Sequence, residues 1–202
     1  AACFVRGDIA DVASHAAWVD EAWAALGPIS CLINNAGVPT RNTQPLLDTP
    51  LASYDRVTGV NTRGTFFLTQ RIARKLIVTP AADWTRSIVF ISSISAVYPA
   101  PTQAEYCISK AGVAMIAQLY TVRLAPHAIA VYEVRPGFIR TDMTADATED
   151  KDMRIARGDV PVPRWGEPQD IGRAVAALAS GTIPYATGPA LFVDGGFNVK
   201  RF

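Results

Sequence analysis

Sulfur, imidazole and lysine are all scarce in this chain, which carries three cysteines, two histidines and four lysines in 202 residues. Cys3, Cys31 and Cys107 are odd in number, widely spaced and without a C-x-x-C pair, and only His15 and His127 stand beside them as ligand types. That argues against a disulfide framework and against a zinc site, so no metal and reduced thiols in a cytoplasmic protein are expected. Long apolar runs are missing too. No 18-residue uncharged apolar stretch occurs and no basic segment followed by an apolar run opens the sequence, so neither a membrane span nor a signal peptide is expected. Charge is sparse and balanced, 18% of residues with a formal net charge of +1, which argues against nucleic acid as a partner. Half the residues are hydrophobic, which places the chain outside the disordered class, and the near-neutral balance points to a small or amphipathic ligand. The length suits one domain able to bury its own core, and no repeat or low-complexity tract divides it.

Short β-rich runs alternate with longer helical patterns. "CFVRGDI", "ISCLINNAG", "SIVFISS", "IAVYEVRPG" and "ALFVDGG" read as strands. Between them a helix follows Asp11 and ends at Gly27, a long one covers "LASYDRVTGVNTRGTFFLTQRIARKLI" in spite of Gly59 and Gly64, and another covers "AEYCISKAGVAMIAQLYTVRLA". A last helix, "EPQDIGRAVAALAS", precedes the final strand. Strands apolar on both faces and separated by helices imply an α/β fold of the Rossmann type, a doubly wound parallel sheet. Such a fold opens with a strand, a glycine-rich turn and a helix, yet no G-x-G-x-x-G occurs. The expectation is therefore that an N-terminal βαβα portion of roughly 50 to 60 residues is missing from the chain, because a parallel sheet with a central gap would expose unpaired backbone.

One pair of residues carries chemistry. Tyr106 and Lys110, in "EYCISKAG", stand four apart on a predicted helix and so share a face. Six tyrosines and four lysines produce such a pair by chance about 0.1 times in a chain of this length, so its neighbours decide its meaning. Alone, it reads more readily as an ordinary surface pair. Thirteen residues earlier Ser93 closes a predicted strand, the edge of an open α/β sheet at which ligands bind. Ser92 alternates to the other face and reads as structural. "NNAG" (Asn34, Ala36, Gly37), "VN" at Asn61 and "RPGFIRTDM" (Pro136, Gly137, Ile139, Thr141) converge on the same edge.

This ordered set, completed by "TGPALFVDGG", resembles the short-chain dehydrogenase/reductase family over essentially the whole chain. "RSIVFISSISA", "EYCISKAG", "YEVRPGFIRTDMT" and "PRWGEP" are most similar to proteins described as 3-ketoacyl-acyl-carrier-protein reductases, and so to fatty acid biosynthesis. The resemblance implies a nicotinamide cofactor, NADP (slightly favoured) or NAD, and a catalytic set of Ser93, Tyr106, Lys110 and Asn61. Tyr106 would be the general acid/base, and Ser93 would hold the substrate oxygen with it. Lys110 would favour the phenolate and bond the cofactor ribose, and Asn61 would anchor a water feeding protons to it. Asp8 with Ile9 would meet the adenine, Asn34, Ala36, Gly37, Pro136 and Gly137 would line the cofactor, and Ile139 with Thr141 would fix its carboxamide. Structural alternatives stay open: Asn34 and Gly37 suit a turn with positive φ, and Asp8 suits a strand-end turn.

Residues 142–165 are polar with scattered apolar positions, which suits either a substrate lid or a solvated amphipathic helix. Val97, Tyr98 and Pro99 are pocket candidates for a ketoacyl chain or another ketone. A 3-oxoacyl thioester is the expected substrate, with an acyl carrier protein as a candidate partner, although Asp152 and Asp159 sit close to Arg154 and Arg157. A sugar or polyol dehydrogenase and a catalytically silent assembly partner are the competing readings. No charge falls between Lys110 and Arg123, where Met115, Ile116, Leu119, Tyr120 and Val122 cover more than one helix face, and the resemblance implies a homodimer built by this helix and the Asn61 helix, or a homotetramer completed by the terminal strand near Phe192.

Overall fold

The computed structural model describes residues 2–79, 85–183 and 185–200. Its centre is a four-stranded parallel sheet in the order β1-β2-β3-β4, with β1 Cys31–Asn34, β2 Arg86–Ile91, β3 Ile129–Pro136 and β4 Ala190–Val193. Parallel strands cannot be joined by a tight turn, so helices carry every crossover and cover both faces. One face of β2 and β3 presents Ile88, Phe90, Ile129 and Val131 to α1 (His15–Leu26), α3 (Thr65–Val78) and α4 (Ala104–Leu124). The other presents Val89, Ile91, Tyr132 and Val134 to α6 (Pro168–Ala179) through Val175 and Leu178. Each such side chain contributes about 1.5–3 kcal/mol by leaving water. This is the doubly wound α/β arrangement that the alternation of patterns implies.

Three departures from the sequence reading have physical causes. "CFVRGDI" forms no strand: residues 2–8 run without regular structure, because a strand exists only against a neighbour and no described residue pairs with this one. β1 is consequently an outer strand, and Ile33 is 46% exposed. The long helix is real but interrupted. α2 (Leu51–Thr58) passes into a π-helical turn at Gly59–Gly64 before α3 resumes, and π turns inside longer helices mark places where the backbone is diverted for another purpose.

The segment after β3 holds a short 3-10 turn, Asp142–Ala147, and helix α5, Thr148–Ala156. Ile155 packs with Val160 and Trp165 against Phe138 and Phe197, and the Trp165 indole donates to Asp152 at 2.6 Å. Among the described residues no helix is long and apolar enough to cross a membrane and no cluster of metal-ligating side chains occurs. The three cysteines are free.

Gly64 shows how tightly the π turn is seated. A Cβ there would fall well inside contact distance of the Ile9 carbonyl, whereas a Cβ on Gly59 would meet only the far end of Arg63, at 3.6 Å. Gly64→Ala should therefore lower the free energy of unfolding by about 1–3 kcal/mol in a denaturant titration, and Gly59→Ala should cost much less.

Candidate active site

β2 delivers the chain to the carboxyl edge of the sheet at Ile91, and Ser93 follows in extended conformation, φ −175° and ψ 162°. A short turn, Ile94–Ala96, begins at once, with the Ser95 amide donating to Ser93 Oγ at 3.0 Å. α4 then starts at Ala104, so Tyr106 and Lys110 fall in its first two turns. Lys110 reaches back to the end of β2, where Nζ donates to the Ile91 carbonyl at 3.0 Å and lies 5.6 Å from the centre of the Tyr106 ring. The Ser93 hydroxyl lies near enough to the phenol to lower its pKa in part. The structure thus brings Ser93, Tyr106 and Lys110 together.

Asn61 stands in the π turn, buried, with its amide committed to protein groups. Oδ1 accepts from the Val38 amide at 2.8 Å, and Nδ2 donates to the Val38 carbonyl and to Ser109 Oγ, both at 3.0 Å. Ser109 in turn donates to the Tyr106 carbonyl at 2.8 Å. One side chain therefore ties the turn after β1 to the helix that carries Tyr106. Gly37 lies against it, and a Cβ there would be 3.3 Å from Asn61 Oδ1 and 3.5 Å from Lys110 Nζ. Its φ is not positive, so close approach rather than a left-handed turn explains the glycine.

Burial dominates the electrostatics. It lowers Lys110, 6% exposed, to about 8, because a charged ammonium loses its water there. It raises the Tyr106 phenol above its ordinary value, opposed most by the nearby Ser93 hydroxyl. Desolvation is thus the largest influence on the phenol, opposite in direction to the favoured phenolate that the sequence reading expects from Lys110.

Two recesses meet beside this group. A cleft of about 690 Å³ is lined by Ser93, Tyr106, Lys110, Pro136, Gly137, Ile139 and Thr141. A second, of about 870 Å³, is lined by Asp8 and Ile9, and the two share Ala36 and Gly37. Asp8 uses Oδ1 to accept from the Ala10 amide at 2.9 Å, the turn contact that the sequence left open. Asn34 is corrected: it lines neither recess, because alternation turns its side chain to donate to Thr69 on α3 at 3.0 Å, while Asn35 lines the cleft. Ile139 is buried with its side chain against Gly166, and its carbonyl accepts from Thr144 at 2.9 Å. The Thr141 amide donates to Thr144 Oγ1 at 3.1 Å in a capping box. Sequence reasoning passed over Ile33, Asn35 and the start of α6 at Pro168, which line the cleft, while Met143 and Thr144 of the expected lid segment line it too. The signal for Pro168 was available, since helices of a parallel sheet that follow a strand begin at its carboxyl edge.

The two recesses adjoin at Ala36 and Gly37, and the Tyr106 phenol lines one of them. Residues 1–198 match the family described as enoyl-(acyl carrier protein) reductase, and the chain belongs to the short-chain dehydrogenase/reductase family of NAD(P)-dependent oxidoreductases. Among solved structures it is similar to a 3-oxoacyl-[acyl-carrier protein] reductase from Brucella melitensis in complex with NAD. The TM-score is 0.97 and the identity 42%, over 99% of this chain and 79% of that one. Nodulation protein G of Azospirillum brasilense is 35% identical over 195 residues, 96% of this chain and 76% of that protein. L-rhamnose 1-dehydrogenase (NAD(P)(+)) of a Sphingomonas species is 33% identical over 197 residues, 97% of this chain and 76% of that protein.

The lowered Lys110 has a measurable signature. Its folded value of about 8 lies below the unfolded 10.5, so the unfolded chain binds the extra proton between those values and the cost of burying the charge fades as pH rises. The stability difference between Lys110→Met and the parent protein should shift by roughly 3 kcal/mol in favour of the parent from pH 7 to above pH 10.5, as read by denaturant unfolding at each pH.

Proposed function

We propose that the protein reduces a ketone to a secondary alcohol, with a 3-oxoacyl thioester as substrate and Tyr106 as the proton donor. The observation that carries this reading is the protonated Tyr106 phenol beside Ser93 at the cleft. Bound in the joined recesses, NADPH or NADH would supply the hydride. Tyr106 would pass its phenolic proton to the carbonyl oxygen as negative charge develops there, and Ser93 would donate a second hydrogen bond to that oxygen. Lys110, near half protonated at mildly alkaline pH, would bond the ribose and help to reprotonate Tyr106. Ala36, Gly37, Pro136 and Gly137 would line the cofactor, Ile139 and Thr141 would hold its carboxamide end, and Asp8 and Ile9 its adenine end. Asn61 would fix the Val38 turn against α4, and the water assigned to it from the resemblance belongs to the same reading.

The acyl-thioester substrate draws support from the similarity to the Brucella reductase. The similarity to L-rhamnose 1-dehydrogenase favours a second reading, oxidation of a sugar by the same residues. An acyl carrier protein gains little support from the lid arginines: Arg154 and Arg157 both pair with Asp159, at 3.1 and 2.6 Å, so their charge is locally balanced. Residues 142–165 would act as the lid, with Met143 reaching the cleft. A homodimer or homotetramer is supported by the outer face of α4, where Met115, Leu119 and Val122 are exposed while Ile116 and Tyr120 pack inward. Free cysteines suit a cytoplasmic setting.

The test is consumption of NADPH or NADH with acetoacetyl-CoA, beside oxidation of L-rhamnose with NADP or NAD. Thioester-dependent turnover that falls at least about 100-fold in Tyr106→Phe, with cofactor binding retained by titration, is the expected result. Turnover with the sugar alone would replace the substrate, and absence of both turnover and cofactor binding would favour a silent assembly partner. For assembly, sedimentation of the parent protein should show a dimer or tetramer that Leu119→Glu dissociates; a monomeric parent would overturn that part.

A further inference from the structure

Two charged residues of β3 are largely buried and take no part in this chemistry. Glu133 and Arg135 lie on β3, in a strand otherwise apolar from Ile129 to Val134, and both point to the α4 side of the sheet. Glu133 is 4% exposed and the Arg135 side chain 12%. Arg135 grips the carboxylate with two bonds, Nε to Oε1 at 2.7 Å and Nη2 to Oε2 at 2.9 Å, and its guanidinium lies 5.1 Å from the centre of the Phe192 ring on β4. Glu133 Oε1 takes one further donor, the Ser92 hydroxyl, at 2.5 Å. Burying an ion pair costs much of what the attraction returns, so a hydrophobic pair would serve stability as well. What the pair adds is a fixed acceptor at one point.

That point is the residue before Ser93. The ladder between β2 and β3 ends at the Ile91–Val134 pair, and beyond it the chain is held by the Ser92 amide donating to the Val134 carbonyl at 2.9 Å and by the Ser92 hydroxyl on Glu133. Alternation sends Ser92 to the face of the sheet that carries Glu133 and Ser93 to the opposite one, at the cleft. We propose that Glu133, locked by Arg135, is a positioning residue that clamps Ser92 and thereby sets the place of the Ser93 hydroxyl against Tyr106. The proposal rests on the catalytic reading of Ser93, and a misplacement of an ångström or less at such a group is enough to cost rate.

The experiment compares Glu133→Gln, Ser92→Ala and the double variant in the full chain, using whichever substrate the parent protein turns over. Loss of about tenfold in kcat is expected in each single variant, with KM for the cofactor within about twofold. The double variant should be no slower than the worse single one, as residues acting through one contact require. Ser92→Ala guards against the chance that Glu133→Gln fails to fold. Amide exchange at Ser95, whose N–H is held by Ser93 Oγ, should rise in both single variants while exchange in β3 stays unchanged. Variants that keep the parent's kcat and Ser95 protection, even with a lower melting temperature, would overturn the proposal and leave the pair a purely structural one. If the parent turns over neither substrate, the functional reading fails, and Ser95 exchange still decides the clamp.

Discussion

The bond from Lys110 to the Ile91 carbonyl joins α4, which carries Tyr106, to the strand that presents Ser93. An ammonium in that place is buried away from water, and the carbonyl it reaches belongs to Ile91, in the last pair of β2 with β3, where the ladder ends. The interaction satisfies both groups at once and fixes how far α4 advances along the sheet. Tyr106, one turn earlier on the same face, then comes to Ser93 as a consequence of helix geometry. Asn61 extends the same logic outward, binding the Val38 turn on one side and Ser109 of α4 on the other.

The end of β2 is thus flanked by two buried charges handled in opposite ways. Lys110 has a neutral carbonyl for its partner and pays in affinity for its proton. Glu133 has a bidentate guanidinium and a hydroxyl. The first arrangement leaves a group able to gain and lose a proton near neutral pH, and the second leaves a rigid one. Between them stand two consecutive serines with unlike duties, Ser92 facing the rigid pair and Ser93 facing the cleft.

Much of this was legible in the sequence, for reasons that can be named. β2, β3 and α4 are long and strongly patterned, and the Ser93, Tyr106, Lys110 group follows from a strand end and a helical spacing. What could not be read depends on contacts distant in sequence. Residues 3–9 have the composition of a strand, but no composition supplies a pairing neighbour. Gly37 looks like a turn glycine until Asn61 and Lys110 are seen to crowd it. Asn34 and Asn35 are the same residue twice, and only the strand's alternation against α3 decides which one faces the cleft. Burial of Tyr106 and Lys110 likewise depends on everything packed around them, so the sign of its effect on the phenol was out of reach.

The π turn at Gly59–Gly64 sets a limit on the length of this chain between α2 and α3. A π turn holds about one residue more than the α turn it replaces. Each helical residue rotates the chain by about 100°, so the extra residue phases α3 against α2. With it, Asn61 faces the Val38 turn while Leu68, Ile72 and Leu76 face the sheet. Remove one residue here and a regular helix can form across the junction, but its two halves are then out of step: either the apolar stripe of α3 or the amide of Asn61 must face the wrong way. The irregular turn is therefore a phase adjuster, and point substitutions are a milder perturbation of it than any single-residue deletion.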